Sequence, residues 1–93
     1  MLWREPGKGR DMALFLDVHT LEGVTAEAVA EAHRKDLETQ GQYGVSYQKY
    51  WVDPAAGKIF CLAEGPDMDA VVRVHREAHG LVADEVYQVE EHS

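Results

Sequence analysis

Hydrophobic periodicity that switches between two and about 3.6 residues in the order βαββαβ, Gly and Pro breaks at the switches, and a length of 93 residues together predict an α+β fold of the ferredoxin-like kind. In that fold a four-stranded antiparallel sheet carries both helices on one face.

Each element follows in order. Residues 1–11 (MLWREPGKGRD) hold Pro6, Gly7 and Gly9 among alternating charges without periodicity, and are expected to form a mobile N-terminal arm on which Trp3 alone suits docking. Residues 12–93 are expected to form the single domain. From Met12 the chain alternates, with Leu14, Leu16 and Val18 on one face of a first strand and Ala13, Phe15, Asp17 and His19 on the other. Thr25 then stands as an N-cap, Glu27 and Glu31 favour the positive end of the dipole, and Ala26, Val29, Ala30, His33 and Leu37 recur at helical spacing. The first helix is expected over 26–40, stopped by Gly41. Val45, Tyr47, Lys49 and Trp51 alternate with Ser46, Gln48 and Tyr50, and Asp53, Pro54 and Gly57 turn the chain into a strand over 58–64. Gly65 and Pro66 break that strand, Asp67 can cap, and Met68, Val71, Val72, His75 and Ala78 stripe a second helix over 68–79 that stops at Gly80. Residues 85–90 (EVYQVE) alternate again as the fourth strand.

Two properties of the whole chain bear on partners. A chain this short gains from burying a further face, and the sheet face without helices invites a second copy, giving a homodimer that closes as an αβ-barrel. Seventeen Asp+Glu against nine Lys+Arg leave a formal charge of −8, which repels phosphate backbones and argues against nucleic acid. The longest apolar run, Ile59 to Ala63, is far short of a membrane span, and no apolar N-terminal region marks export, so a cytoplasmic protein away from membranes is expected. A single cysteine, Cys61, provides no disulfide framework and reads as a small buried hydrophobe, so any metal rests on His and carboxylate.

Histidine placement is the main chemical signal. Strands 1 and 3 are read as parallel, which makes the two helices point the same way and brings residues of equal depth together. His33 and Asp36 are three apart on the first helix, and His75 and His79 four apart on the second, so each pair projects from one helix face. His33 and His75 fall on stripes that aliphatic residues otherwise occupy, where an imidazole needs a partner to offset desolvation. Histidine and carboxylate suit Ni²⁺, Zn²⁺, Cu²⁺ or Fe²⁺ over Mg²⁺ or Ca²⁺. A second group, Asp17, His19 and Glu64, is expected at the C-terminal edge of the central strands, about a helix length from His79 and hence separate from the first. Against both stands the ordinary structural role: helix-stripe histidines are commonly hydrogen-bonded core residues, and strand-end Asp and His commonly edge polarity. Tyr47, Tyr50, Trp51 and Tyr87 read as sheet packing or barrel lining, and His92 as part of a frayed end. No phosphate-cradling loop, nucleophile elbow or zincin motif is present.

The stretches MALFLDVHTLEGVTAEAVAEAHRKDL and GKIFCLAEGPDMDAVVRVHREAHGLVADEVYQVEE resemble a family of small bacterial proteins with a ferredoxin-like dimeric αβ-barrel, a domain of unknown function. D-V-H in strand 1, A-H-x-x-D-L in helix 1 and V-H-x-x-x-H-G in helix 2 are similar to its nickel-binding, nickel-responsive branch. The resemblance spans about Met12 to Glu91. It implies Ni²⁺ binding, a homodimer, and metal ligands drawn from Asp17, His19, His33, Asp36, Glu64, His75 and His79.

Three functions are therefore in view. The first is non-enzymatic binding of a divalent transition metal, nickel above all, for storage, sequestration or sensing. The second is a cofactor-free monooxygenase or isomerase-like enzyme, with Tyr47, Trp51, Phe60 and His19 lining a barrel cavity of roughly 300 Å³ or more. The third is a dimer whose histidines only hydrogen-bond.

Overall fold

The structure, a computed structural model, describes residues 12–93; the expected arm over 1–11, with Trp3, lies outside the described residues. The elements are β1 (Ala13–Thr20), α1 (Ala26–Thr39), a 3₁₀ turn (Gln40–Tyr43), β2 (Ser46–Asp53), β3 (Lys58–Gly65), α2 (Met68–Ala78) and β4 (Glu85–Val89). They form one four-stranded antiparallel sheet in the order β2-β3-β1-β4, which is the ferredoxin-like α+β arrangement.

Local chemistry sets the helix ends. The Thr25 hydroxyl accepts from Ala28 N at 3.1 Å and Asp67 Oδ1 from Ala70 N at 2.8 Å, each satisfying an amide that the first turn leaves free. Helix α1 ends at Thr39, one residue short of the expected bound, but the chain does not leave its helical path at Gly41. It tightens into the 3₁₀ turn, which ends at Gly44, where φ is +68° and a left-handed residue is needed.

One face of the sheet packs on the helices. Phe15, Ile59, Cys61 and Ala63 from the central strands meet Val29 of α1 and Val71 and Val74 of α2 in a single buried cluster. A Cβ at Gly65 would come within 3.2 Å of both Val45 Cγ2 and Val71 Cγ2, so a side chain at the end of β3 would have to push these two valines aside. The other face carries Leu14, Leu16, Phe60 and Leu62, half-buried, with Trp51 and Tyr87 each 49% exposed at its flanks.

Two expectations fail, both through strand direction or register. Strands β1 and β3 are antiparallel, running from Ala13 opposite Gly65 to Thr20 opposite Lys58. Helix α1 returns the chain so that β2 runs along β1, and the hairpin then reverses it, so β3 must oppose β1. The helices that follow β1 and β3 consequently run in opposite directions, not the same one. The second failure is in β2, where the pairing slips between Tyr47 and Lys49. This bulge leaves Tyr47 opposite Ala63 on the helix side but puts Lys49 and Trp51 opposite Leu62 and Phe60 on the uncovered side. Gln40 Oε1 accepts the Tyr47 N–H at 2.8 Å beside the irregularity. Tyr47 and His19 thus lie on one face of the sheet and Trp51 and Phe60 on the other, so these four residues do not line one cavity.

Candidate metal centre

Antiparallel strands decide which polar residues meet. Asp17 and His19 sit near the C-terminal end of β1 on its helix-facing side, and α2 runs back over that end, bringing His75 and His79 above them. Asp17 is fully buried, and Asp36 and His75 are each 2% exposed. His75 lies between the two carboxylates. Its Nδ1–H donates to Asp36 Oδ1 at 2.9 Å, and its Nε2 lies 3.0 Å from Asp17 Oδ2. His19 Nε2 bonds Asp17 Oδ1 at 3.1 Å, and the Tyr47 hydroxyl donates to Asp17 Oδ2 at 2.9 Å. On the far side His79 Nε2 lies 3.1 Å from Asp36 Oδ1. The rings of His19 and His79 sit 4.9 and 5.0 Å from that of His75.

The seven residues singled out in the sequence are therefore divided differently from the expectation. Asp17 and His19, expected a helix length from His79, join Asp36, His75 and His79 in one buried cluster. Asp36 and His75 each stand three residues before the end of their helices, so the antiparallel helices overlap through their C-terminal halves. His33 borders the same cavity but packs its ring against Tyr50, 4.7 Å between centroids and tilted by 42°. Glu64 lies at the other end of the sheet, opposite Leu14 and Ser46, because β3 ends where β1 begins. Two participants were not among the metal ligands expected from the sequence. Tyr47 anchors Asp17, and Cys61, opposite Asp17 in the sheet, presents its thiol to the same centre. The IFCLA run read as core packing, and only the strand register shows that Cys61 shares a face with Asp17.

Burial and charge shape the electrostatics. Burial favours the neutral form of Asp17, but its bonds to His19 and His75 outweigh that and hold the carboxyl well below its usual range. Asp36 is lowered in the same way, its burial offset by His75 and His79. Burial also opposes a charged His75 ring, yet contact with Asp17 and Asp36 pushes it up to about 11. Burial first, then the Asp17 charge, pushes the Cys61 thiol up to about 11 despite the opposing effect of His75. Two carboxylates and one imidazolium leave this interior with a surplus of negative charge, which suits a cation.

The donor geometry also suits one. Asp17, His19, Cys61 and His75 form one group, and Asp36, His75 and His79 a second, each with ligand atoms within 4.8 Å of one another. Ligands about 2.0–2.3 Å from a common ion stand roughly 3–4 Å apart, so small side-chain shifts close either group. Among the described residues two buried ring nitrogens, His75 Nε2 and His79 Nε2, lie 3.0 and 3.1 Å from Asp17 Oδ2 and Asp36 Oδ1 but are not aligned for a hydrogen bond with them. Ring nitrogens set beside carboxylates in this way can present a lone pair to a cation that the carboxylates also face. Leu21, Val24, Val29 and Leu81 wall a cavity of about 40 Å³ beside these histidines. That volume holds about three water molecules, enough for an ion and its waters and far too little for an aromatic substrate. No helix is long and apolar enough to cross a membrane among the described residues.

Comparison with known proteins bears on the same chemistry. The family described as nickel responsive protein SCO4226-like matches residues 15–89. The crystal structure of SCO4226 from Streptomyces coelicolor A3(2) superposes with a TM-score of 0.82 at 41% sequence identity, over 87% of this chain and 100% of that one. No curated protein matches the chain.

Proposed function

Because the chain belongs to the SCO4226-like family of nickel responsive proteins, we propose that it is a non-enzymatic binder of a divalent transition metal, nickel before zinc or copper, serving storage, sequestration or sensing in the cytoplasm. The observation that carries this reading is the convergence of Asp17, His19, Cys61, Asp36, His75 and His79 in the interior, in two groups whose ligand atoms lie within 4.8 Å of one another. Nitrogen and carboxylate donors, with one thiol, fit nickel better than a hard cation. His75 belongs to both donor groups and would hold the ion in either; His33 stands beyond them as a cavity wall, and Glu64 takes no part. The division of Tyr47, Trp51, Phe60 and His19 between two sheet faces favours this reading over a small-molecule enzyme.

The proposal extends to a homodimer in which the uncovered sheet faces of two copies, each with Leu16, Trp51, Phe60 and Tyr87, pack together. Sedimentation equilibrium is expected to return twice the mass of the chain, and the mass of a single chain would exclude it.

Nickel titration by calorimetry tests the binding. A nitrogen that ligates cannot keep its proton, and His75, raised to about 11, is protonated at neutral pH. Uptake is expected to release about one proton, and two if the Cys61 thiol also ligates, read from the dependence of the heat on buffer ionisation. Affinity should rise by about tenfold per pH unit through the neutral range, a span extending well above the ordinary histidine value near 6.5. Binding without proton release would remove His75 from the ligand set, and no binding would end the proposal.

A further inference from the structure

Helix α2 ends on a histidine whose two ring nitrogens have incompatible engagements. The backbone N–H groups of His79 and Gly80 both donate to His75 O, at 3.1 and 2.9 Å, and Gly80 then turns the chain with φ +81°. The next amide, Leu81 N–H, finds no backbone carbonyl. It donates to His79 Nδ1 at 3.1 Å. A nitrogen that accepts carries a lone pair, so in a neutral ring the proton resides on the other nitrogen, Nε2. That buried Nε2 lies 3.1 Å from Asp36 Oδ1, out of line for a hydrogen bond, and belongs to the donor group with Asp36 and His75.

Ligation through Nε2 requires the opposite tautomer. The lone pair must be on Nε2 and the proton on Nδ1, where it would meet the Leu81 N–H donor to donor. The proton count of the ring does not change; one proton leaves Nε2 for solvent and one is taken up at Nδ1. The Leu81 bond and metal ligation by His79 therefore exclude each other. Little else holds the segment: Leu81 and Val82 are 44% and 42% exposed, and the chain is next fixed at Asp84, which donates its N–H to Val18 O and accepts Thr20 N–H on Oδ2. Leu81 also lines the cavity beside the histidines.

We propose that binding of a divalent metal through His79 Nε2 breaks the hydrogen bond from Leu81 N–H to His79 Nδ1 and releases residues 80–83 at the cavity mouth, so that this segment reports whether the centre is filled. The inference rests on the metal-binding reading above and adds a conformational response to it. Its logic is the tautomer alone, and it holds for any divalent ion that takes this nitrogen.

The test uses Zn²⁺, which is diamagnetic, on the full chain labelled with ¹⁵N, with bound zinc measured by dialysis of the same sample. Without zinc, His79 is expected as the Nε2–H tautomer with a protected Leu81 amide. With zinc, the ring is expected to change to Nδ1–H and Leu81 amide exchange to quicken by about tenfold or more. Zinc bound with the tautomer and Leu81 protection unchanged would overturn the inference and leave metal binding intact. Absence of bound zinc would overturn both. Leu81→Pro, which has no N–H to release, is expected to bind zinc about fivefold more tightly, the equivalent of one ordinary hydrogen bond no longer broken. Equal affinity in that variant would count against the coupling, and the wild-type spectra decide it even if the variant folds poorly.

Discussion

His75→Ala is expected to abolish nickel binding at micromolar protein and to destabilise the fold in the same step. The ring belongs to both donor groups, so its loss removes a ligand from each, and nickel affinity should fall on the order of a hundredfold or more. Stability falls for a separate reason. His75 lies between Asp17 Oδ2 and Asp36 Oδ1, at 3.0 and 2.9 Å, and both carboxylates are buried. Without the ring they face each other in an interior with no cation to compensate, a situation that typically costs about 3–5 kcal/mol. Urea unfolding of the metal-free proteins measures it. The sign with pH follows from the shifts. A depressed carboxylate contributes stability that is present above its ordinary value near 4 and is lost as pH falls towards its lowered one. In wild type both Asp17 and Asp36 behave this way, whereas in the variant their proton uptake relieves repulsion, so the gap between the two proteins should narrow in acid. A raised His75 contributes stability that is complete below about 6.5 and lost as pH rises towards about 11, so the gap should also narrow in alkali. A gap independent of pH would contradict the assignment of charges.

Asp17→Ala is expected to cost about 3 kcal/mol and to lower the melting temperature by roughly 10–20 °C. This one carboxylate accepts from His19 and from the Tyr47 hydroxyl and stands beside His75, and it has no exposed surface. Truncation leaves the Tyr47 hydroxyl with Val71 O at 3.3 Å as its remaining partner and leaves His75 with Asp36 alone. Asp17→Asn keeps the shape and an oxygen for Tyr47 but not the charge, so it should unfold at a higher temperature than Asp17→Ala. Both variants should bind nickel more weakly, by about tenfold or more, since both lose an anionic ligand. Combined with His75→Ala, either change should cost far less than the sum of the single effects, because the two groups stabilise each other. Additive losses would show that they act independently.

Much of this was legible before the structure. Thr25 and Asp67 read as caps and act as caps, and alternation located all four strands to within a residue or two. The residue types of the centre were legible too: an imidazole on a stripe of valines is a conspicuous cost, and His75 is such a residue. What failed was direction. Treating β1 and β3 as parallel separated Asp17 and His19 from His79 and put Glu64 beside them, whereas the antiparallel pair moves Glu64 to the far edge and draws the histidines of α2 onto Asp17. Reading the β2–β3 hairpin as a reversal, with both helices as return paths, would have corrected this from topology alone. The bulge after Tyr47 was not legible, because a two-residue period counted along β2 cannot reveal an extra residue, and Tyr47 was grouped with Lys49 and Trp51 accordingly. Cys61 was hidden for another reason. An apolar strand gives no sign that one of its inward positions faces a carboxylate on the neighbouring strand.

The uncovered sheet face and the buried polar centre lie on opposite sides of the same sheet, and this separates the two halves of the proposed function. A second copy packed on Leu16, Phe60 and Trp51 would leave the helix side, with the cavity mouth at Leu21 and Leu81, free for an ion to enter. Metal uptake would then need no subunit dissociation.

A crystal of the protein grown with Ni²⁺ and recorded on both sides of the nickel absorption edge tests the central claim most directly. An anomalous peak about 2 Å from a ring nitrogen of His75, in the group with Asp17, His19 and Cys61 or in that with Asp36 and His79, is the expected result. Nickel found only at surface side chains, with His75 still bonded to Asp36 and the interior unchanged, would contradict it.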